Sequence, residues 1–285
     1  MLQFALNGLF VSSVYALVAL GLTLIFGVMD IADFSQGALF MVGAYLSFFL
    51  LDLTGIGFAL SLVGAMLSVA CLGALNYLVA YRPLQREKGP NTFIAALGIL
   101  VVLENVVLLV AGADDLYLAP PLGEGSFRFA GAAITHQRSF LIFLTGVFIL
   151  ATWFFLQKTR TGKALRALSQ NRIGAEVCGI DKTRISVVAF LMAAALAGGA
   201  GALMAPIAPI NPHMGGAVIV KSFAIVVIGG MGSAPGALLG ALIIGAGETI
   251  STAYLPSVIT NLIAFVLMIL VLLFRPHGIS GDPES

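Results

Sequence analysis

The sequence predicts an all-α, polytopic membrane protein with about seven to nine membrane segments, and three observations lead to this fold class. Apolar residues make up 60% of the 285 residues and charged residues only 9%, with a mean hydropathy of +1.07, far from the composition of soluble domains. Several apolar runs reach the roughly 20 residues that an α-helix needs to cross a bilayer. The alternating segments of about ten residues that are typical of a transmembrane β-barrel are missing from the sequence.

The apolar segments follow one another along the whole chain, so residues 1–285 are expected to form a single transmembrane domain. They cover approximately 4–28, 36–51, 57–81, 92–111, 140–156, 185–205, 217–230, 236–253 and 258–274.

Two of these segments are short or interrupted. The polar stretch 29–37 precedes the second segment, and the glycine-rich stretch 229–236 separates the seventh from the eighth. Non-helical backbone at membrane depth needs protein or a polar cavity around it, and interrupted segments of this kind mark the pathway in many transporters. The alternative is a loop at the membrane surface, which we favour for 229–236 more than for 30–36.

Clusters of basic residues predict the orientation, because Lys and Arg accumulate in cytoplasmic loops. Three such clusters border apolar segments: Arg82, Arg86 and Lys88; residues 157–184, with seven of the fourteen Lys and Arg; and Arg275 with His277. With all three in the cytoplasm, the N-terminus lies outside and the C-terminus is cytoplasmic. The loop 112–139, which contains Asp114, Asp115 and Glu124, then lies outside.

The basic loop 157–184 has the pattern of two short helices. Thr161 and Asn171 are the expected N-caps, since their side-chain oxygens can accept hydrogen bonds from the first turn of a helix. Gly179 is the expected stop after the second helix.

Each of these two short helices has an apolar face. Leu165 and Leu168 share one side of the first, and Ile173, Val177 and Ile180 recur at helical spacing in the second. A solvated loop needs no apolar faces. The residues alone leave two interpretations open: docking of a partner protein, or amphipathic helices lying on the membrane surface.

Three charged residues lie inside apolar segments, where exposure to lipid is costly. Lys221 is close enough to the outer end of its segment to extend its ammonium group to the interface. Glu104, beside Asn105, and Glu248 lie deeper. These acids serve either as a polar lining or proton relay, or as interhelical hydrogen-bonding groups, and we favour the structural role.

The sequence shows no cluster of catalytic or metal-binding residues. His136, His213 and His277 are scattered, and neither a P-loop nor a Ser–His–Asp pattern occurs. We therefore expect no catalytic residue, no metal site and no cofactor in this chain. A net charge of +1 also gives no attraction to nucleic acid.

Three stretches, in chain order, resemble a known family. They are ALGLTLIFGVMDIADFSQGALFMVGAY at 19–45, TRTGKALRALSQNRIGAEVCGID at 159–181 and KSFAIVVIGGMGSAPGALLGALIIGAGE at 221–248. They are similar to the permease subunits of branched-chain amino acid ABC importers, specifically to the shorter of the two paralogous permeases. The resemblance extends over essentially the whole chain.

The resemblance implies a translocation subunit without enzymatic activity, embedded in lipid in a bacterial-type cytoplasmic (inner) membrane. It implies a second permease, paralogous or identical, two cytoplasmic ATPases that bind ATP and Mg, and an extracytoplasmic solute-binding protein. The loop 157–184 corresponds to the family's coupling element, which docks on an ATPase and thereby favours the partner interpretation. The expected contact residues are Ala164, Arg166, Ala167, Asn171, Ala175 and Gly179.

The chain departs from the family where relatives commonly have Asn-Phe-Ala-His-Gly and this sequence has Asp33-Phe34-Ser35-Gln36-Gly37. The departure changes local charge and removes a titratable ring. Branched-chain or related small neutral amino acids are therefore the leading expectation for the solute, with amides, urea and aromatic acids as alternatives. The expected pathway residues are Asp33, Phe34, Ser35, Gln36, Glu104, Asn105, Lys221 and Glu248.

Three other classes are weighed against an ABC permease. A secondary transporter would use Glu104 and Glu248 for ion coupling and would work without an ATPase. An intramembrane enzyme would need clustered catalytic groups, and the sequence offers only dispersed ones. A channel would leave the coupling-type loop without a role.

Overall fold

The computed structural model describes residues 2–84, 91–121, 123, 125–129, 132–254, 256–275 and 278–280. Arg86, Lys88, Glu124 and His277, which entered the orientation argument, lie outside the described residues. In chain order the helices are α1 (Leu2–Met29), α2 (Ser35–Thr54), α3 (Phe58–Asn76), α4 (Arg82–Leu84), α5 (Asn91–Ala111), α6 (His136–Lys158), α7 (Arg160–Gln170), α8 (Arg172–Val177), α9 (Lys182–Met204), α10 (Met214–Gly229), α11 (Ala234–Tyr254) and α12 (Ser257–Phe274).

The helices confirm the predicted fold class. Among the described residues, seven stretches are long and apolar enough to cross a membrane: Leu2–Met29, Ser35–Leu53, Phe58–Leu84, Asn91–Ala111, His136–Lys158, Lys182–Met204 and Ala234–Tyr254. Two shorter apolar helices, Met214–Gly229 and Leu262–Phe274, raise the total to the upper end of the predicted range.

Two local features were absent from the prediction. A π-helical turn, Tyr77–Tyr81, joins α3 to α4. An antiparallel hairpin, β1 (Ser126–Phe129) and β2 (Ala132–Thr135), lies between α5 and α6, with Phe127 opposite Ile134.

Helix α1 forms the centre of the bundle, since 83% of its most apolar window is buried. It packs against α9, α10 and α11. Helices buried on all sides are expected to be apolar on all sides, which is why α1 shows no polar face before Asp30.

Small residues allow the central helices to pack backbone against backbone. A Cβ atom added at Gly201 of α9 would lie 1.8 Å from the carbonyl oxygen of Phe40 in α2, and one at Gly43 would lie 2.3 Å from that of Gly198. Such close approach is the usual basis of helix association in membranes.

Residues 30–34, which join α1 to α2, are covered by protein except at Asp30, which is exposed. Ile31 and Asp33 are buried, and Asp30 has a left-handed φ of 52°.

The stretch 229–236 is the short connection between the antiparallel helices α10 and α11, because Gly229 faces Gly236 and Ile225 faces Gly240. It is therefore a tight connection between two helices, and its place at the membrane surface stays a prediction.

One side of the bundle gathers several connections. Gly27 near the end of α1 lies close to Ser169 of α7 and to Gly232. The backbone amides of Ile279 and Ser280 donate to the carbonyls of Ile228 and Gly229. The basic loop and the C-terminal segment thus lie on the same side, the side predicted to be cytoplasmic.

We expect Gly201→Ala to destabilise the bundle, because the added methyl group would overlap the Phe40 carbonyl and overpacking costs about 1–3 kcal/mol. Thermal unfolding of the detergent-solubilised protein would measure the effect. Gly146→Ala on α6 is the matched control, since a Cβ there meets no atom within 4 Å. Equal melting temperatures for the two variants would contradict this account of the core.

Candidate functional site

The basic loop forms two short helices, but the first begins earlier than predicted. Thr159, not Thr161, is the N-cap of α7, and its hydroxyl accepts from the amide of Gly162 at 2.9 Å. The prediction was wrong because α6 runs to Lys158, so that Thr159 is the single residue between the two helices.

Asn171 is confirmed as the cap of α8, accepting from the amide of Gly174 at 2.8 Å. Gly179, with φ of 81°, follows the end of α8 as predicted.

The two apolar faces of the loop have different environments. Leu165 and Leu168 of α7 are 2% and 1% exposed and belong to the same buried cluster as Tyr77 and Phe190 of the bundle. Ile173 and Val177 of α8 are 78% and 83% exposed. The first face therefore attaches the loop to its own chain. Of the predicted second face, only Ile173 and Val177 are available to a partner, because Ile180 is partly buried against the bundle.

An ion pair connects α8 to the end of α1. The Arg172 guanidinium lies 2.8 Å from the Asp30 carboxylate, whose side chain is 68% exposed. An exposed pair adds little stability, but this one ties the loop to the turn that begins α2. No local pattern in the sequence pointed to it.

The residues expected to contact an ATPase fall into three groups by exposure. Asn171 and Gly179 are exposed, Ala164, Arg166 and Ala167 are partly buried, and Ala175 is packed against the bundle. The contact assignment stays a prediction for all six. Ile173 and Val177, which the sequence placed on an apolar face but not in the contact set, are far more exposed than Ala175.

The turn between α1 and α2 contains a buried carboxylate, Asp33. Its Oδ1 accepts from the amide of Ser35 at 3.0 Å, from the Ser35 hydroxyl at 2.5 Å and from the Tyr81 hydroxyl at 2.5 Å. Its Oδ2 accepts from Gln36 Nε2 at 3.3 Å. Burial raises the pKa of Asp33, while the hydrogen bonds from Ser35 and Tyr81 oppose that rise. Tyr81 comes from the π-helical turn and was missed by the sequence analysis.

This turn is packed inside the chain. Asp33, Ser35 and Gln36 have no exposed surface. Phe34 is partly buried, with ring centroids 5.3 Å from Phe93 and 5.4 Å from Phe223. Their assignment to the pathway stays a prediction, and the structure gives Asp33 an additional role in holding the start of α2 to the π-helical turn.

The structure brings together two charged residues that the sequence left separate. Lys221 Nζ of α10 lies 2.5 Å from Glu248 Oε1 of α11 and donates to the Tyr15 hydroxyl of α1 at 3.1 Å. The expected extension of Lys221 to the interface is wrong, because the antiparallel packing of α10 and α11 places Glu248 beside it. Glu248 Oε2 is buried without a hydrogen-bond partner among the described residues. For Glu248, the favoured structural role agrees with this geometry.

Glu104 and Asn105 lie elsewhere on the molecule. Glu104 Oε2 is 3.9 Å from Nδ1 of His213, which precedes α10. Asn105 is exposed, and its Nδ2 donates to the carbonyl of Val101 in the same helix at 2.7 Å. The eight predicted pathway residues thus form three separate groups within the described part of the chain.

An apolar cavity of about 220 Å³ is lined in part by Tyr15, whose hydroxyl accepts from Lys221. Its wall includes the ring of Tyr15 and residues of α1, α2 and α10, among them Phe10, Val14, Phe40, Met214 and Val218. The cavity has the chemistry to accept an aliphatic group rather than a charged one.

The sequence and fold match known proteins over nearly their full lengths. The family model for the permease component of the branched-chain amino acid transport system matches residues 4–272. The high-affinity branched-chain amino acid transport system permease protein LivH of Escherichia coli K12 is 35% identical, covering 99% of this chain and 96% of the relative. The corresponding protein BraD of Pseudomonas aeruginosa is 33% identical with the same coverage.

A solved structure agrees at the level of the fold. PsaBC from Streptococcus pneumoniae, in complex with Fab, has a TM-score of 0.52 and 13% sequence identity, covering 96% of this chain and 93% of the other. The similarity extends over nearly all of both chains, so the arrangement of helices is shared and not only a local motif.

We expect Lys221→Met to destabilise the protein, because it leaves the buried Glu248 without its cation, and breaking a buried pair costs about 3–5 kcal/mol. The double variant Lys221→Met with Glu248→Leu should regain most of the lost thermal stability. A double-mutant cycle on melting temperature measures the coupling. Independent, additive losses in the two single variants would show that the pair has no structural role.

We expect Asp33→Asn to be tolerated and Asp33→Leu not to be. An asparagine oxygen retains the hydrogen bonds from Ser35 and Tyr81, and Gln36 can turn so that its unpartnered Oε1 meets the new amide donor. Leucine leaves these buried donors unsatisfied, at about 1–3 kcal/mol. The Asp33→Leu variant should have a lower melting temperature and lower uptake than the Asp33→Asn variant. Equal values for the two variants would argue against a structural role for the hydrogen bonds of Asp33.

Proposed function

The chain belongs to the family of branched-chain amino acid transport permeases, and on this premise we propose that it imports branched-chain or related small neutral amino acids. It does so as the membrane-spanning subunit of an ATP-driven ABC importer. The observation that carries the proposal is the family match over residues 4–272. The apolar cavity beside Tyr15 supports a solute with an aliphatic side chain.

The working assembly in this proposal contains further subunits. A second permease, paralogous or identical, completes the membrane part. Two cytoplasmic ATPases hold ATP and Mg, and an extracytoplasmic solute-binding protein delivers the amino acid. This chain then contributes no catalytic residue and no cofactor.

The surface proposed to receive an ATPase is the exposed side of α8. Ile173 and Val177 offer two apolar side chains on an otherwise basic loop. Fully burying such a side chain is worth about 1.5–3 kcal/mol, so a groove on a partner would gain from covering both. Asn171 and Gly179 border this surface at the two ends of α8.

The attachments of α7 give the proposed coupling a physical route. Leu165 and Leu168 fix α7 to the bundle, and a Cβ at Gly162 would lie 2.2 Å from the Phe155 carbonyl of α6. A displacement imposed on α8 would therefore move α6 and the end of α1 rather than a loose loop. Closure of the ATPases would bias the permease between inward-open and outward-open states, as a ligand shifts any two-state equilibrium.

The environment of Glu248 weighs against the ion-driven alternative. Lys221 already neutralises this carboxylate, so binding and releasing a coupling ion there would require breaking a buried pair. The departure at Asp33 and Gln36 lies in an internal hydrogen-bond network, so it gives no direct support to amides, urea or aromatic acids as the solute.

The proposal is tested by purifying the chain in mild detergent from its native membrane. A second permease and ATP-binding subunits should co-purify, and uptake of leucine into vesicles should require ATP and the binding protein. Purification of the chain alone, with uptake that follows the proton or sodium gradient, would overturn it.

We expect Val177→Glu to reduce ATPase co-purification and ATP-driven uptake while the melting temperature is unchanged, because Val177 is exposed in the isolated chain. Ile173→Glu should act in the same way. Phe127→Glu in the hairpin between α5 and α6 is the matched control, since Phe127 is 60% exposed and lies in the loop predicted to be outside. Normal coupling in both α8 variants would remove this surface from the proposal.

A further inference from the structure

Arg138, at the start of α6, is a cation in an unfavourable place. It lies in the first turn of α6, which contains no acidic residue, and the positive end of the helix dipole disfavours a cation there. The other end of α6 leads into the basic loop, so Arg138 lies on the side predicted to be outside, where arginine is less common than in cytoplasmic loops. General electrostatic preferences therefore do not explain why a guanidinium is placed here.

The guanidinium of Arg138 has no acidic partner in the described part of the chain. None of the ion pairs found there includes it. Its Nη1 donates to Asn7 Oδ1 at 3.4 Å, and its Cζ lies 4.9 Å from the centroid of the Phe10 ring. A guanidinium carries five N–H donors in a planar fork that matches a carboxylate. The described residues thus position Arg138 but leave donors of this fork available to an anion.

The ring beneath Arg138 also forms part of the apolar cavity of about 220 Å³, because Phe10 is one of the residues that line it. Ala208 and Pro209 belong to the same wall. They lie in the connection that follows Met204, the last residue of α9, and α9 begins at the basic loop. The cavity and Arg138 are therefore both at the end of the bundle opposite the basic loop, which is the end where an importer receives its solute.

The size of the cavity suits a branched aliphatic side chain. An apolar cavity of about 150 Å³ already holds a benzene molecule, so 220 Å³ has room for the three or four carbon atoms of such a group. Lys221, whose partner Tyr15 also lines the cavity, is already neutralised by Glu248. Arg138 is therefore the cation beside this cavity that a new anion can bind without displacing a carboxylate of the described chain.

We propose that Arg138 and this cavity form the site at which the chain receives its solute from outside. The guanidinium binds the α-carboxylate of a free amino acid, and the aliphatic side chain enters the cavity past Phe10. The inference rests on the proposed function and adds to it the residues that select the solute. Since the site requires a carboxylate, it rejects amides and urea.

Photo-leucine, a diazirine analogue of leucine, tests this site on the purified complex of the chain with its partner permease and ATPases. The binding protein is left out, so that competition reports on the membrane part alone. Irradiation should label cavity residues such as Val14 and Val218, identified by mass spectrometry. Excess leucine should abolish this labelling, and excess leucinamide, which lacks the carboxylate, should not. Labelling only outside the cavity, or equal competition by the two compounds, would overturn the proposal.

Variants of Arg138 test the role of the guanidinium. Arg138→Gln should reduce labelling of the cavity severalfold, and Arg138→Lys, which keeps the charge without the fork, should reduce it less. Arg184→Gln at the cytoplasmic end is the matched control, since that side chain is 86% exposed, and its labelling should be unchanged. Undiminished labelling in Arg138→Gln would show that Arg138 serves another anion, such as a lipid phosphate, and would refute the site.

Filling the cavity gives a second readout that does not alter any charge. Val218→Phe should reduce labelling severalfold because its ring occupies the space of the solute side chain, whereas Val147→Phe on the outside of α6, where valine is 40% exposed, should not. Equal labelling of these two variants, at equal melting temperatures, would contradict the site. ATP-driven leucine uptake by a chain whose cavity is never labelled would refute the site alone. Absence of ATP-driven leucine uptake would refute the proposed function, and the site with it.

Discussion

The fold depends on backbone-to-backbone packing of α1, α2 and α9. In a bilayer the hydrophobic effect does not drive helices together, since lipid is as apolar as leucine, so close van der Waals contact must hold them. The contacts of Gly43 with Gly198, of Gly201 with Phe40 and of Gly21 with Ala193 leave no space for a Cβ. The other helices attach to this compact centre, and their positions follow from it.

The close packing also explains where the buried polar groups lie. Helices this close can satisfy one another's polar side chains without water, which is how the hydroxyl of Tyr81 reaches Asp33 and the ammonium group of Lys221 reaches Glu248. A buried charge with a partner is tolerable, and one without a partner is not. Each of these two polar contacts joins elements that are distant in the chain.

Hydropathy predicted the membrane segments well, because the length of an apolar run is a local property. The cap at Asn171 and the stop at Gly179 were predicted for the same reason. The contacts that were missed join distant residues: Tyr81 is 48 positions from Asp33, and Glu248 is 27 from Lys221. The sequence could not reveal that Leu165 faces the bundle and Ile173 does not, because periodicity identifies an apolar face but not what covers it.

The surface of α8 that is proposed to receive an ATPase is joined to α2 and α5 through the turn at residues 30–34. Arg172 of α8 pairs with Asp30 at one end of the turn, and Asp33 three residues later holds the start of α2 through Ser35. Helix α2 in turn packs against α5. A displacement of α8 is thus connected to α5 by a continuous series of packed elements. Coupling between sites needs an element with two arrangements as well as a path. Asp30 lies on this path with a left-handed φ, a conformation uncommon for residues other than glycine, beside an exposed ion pair.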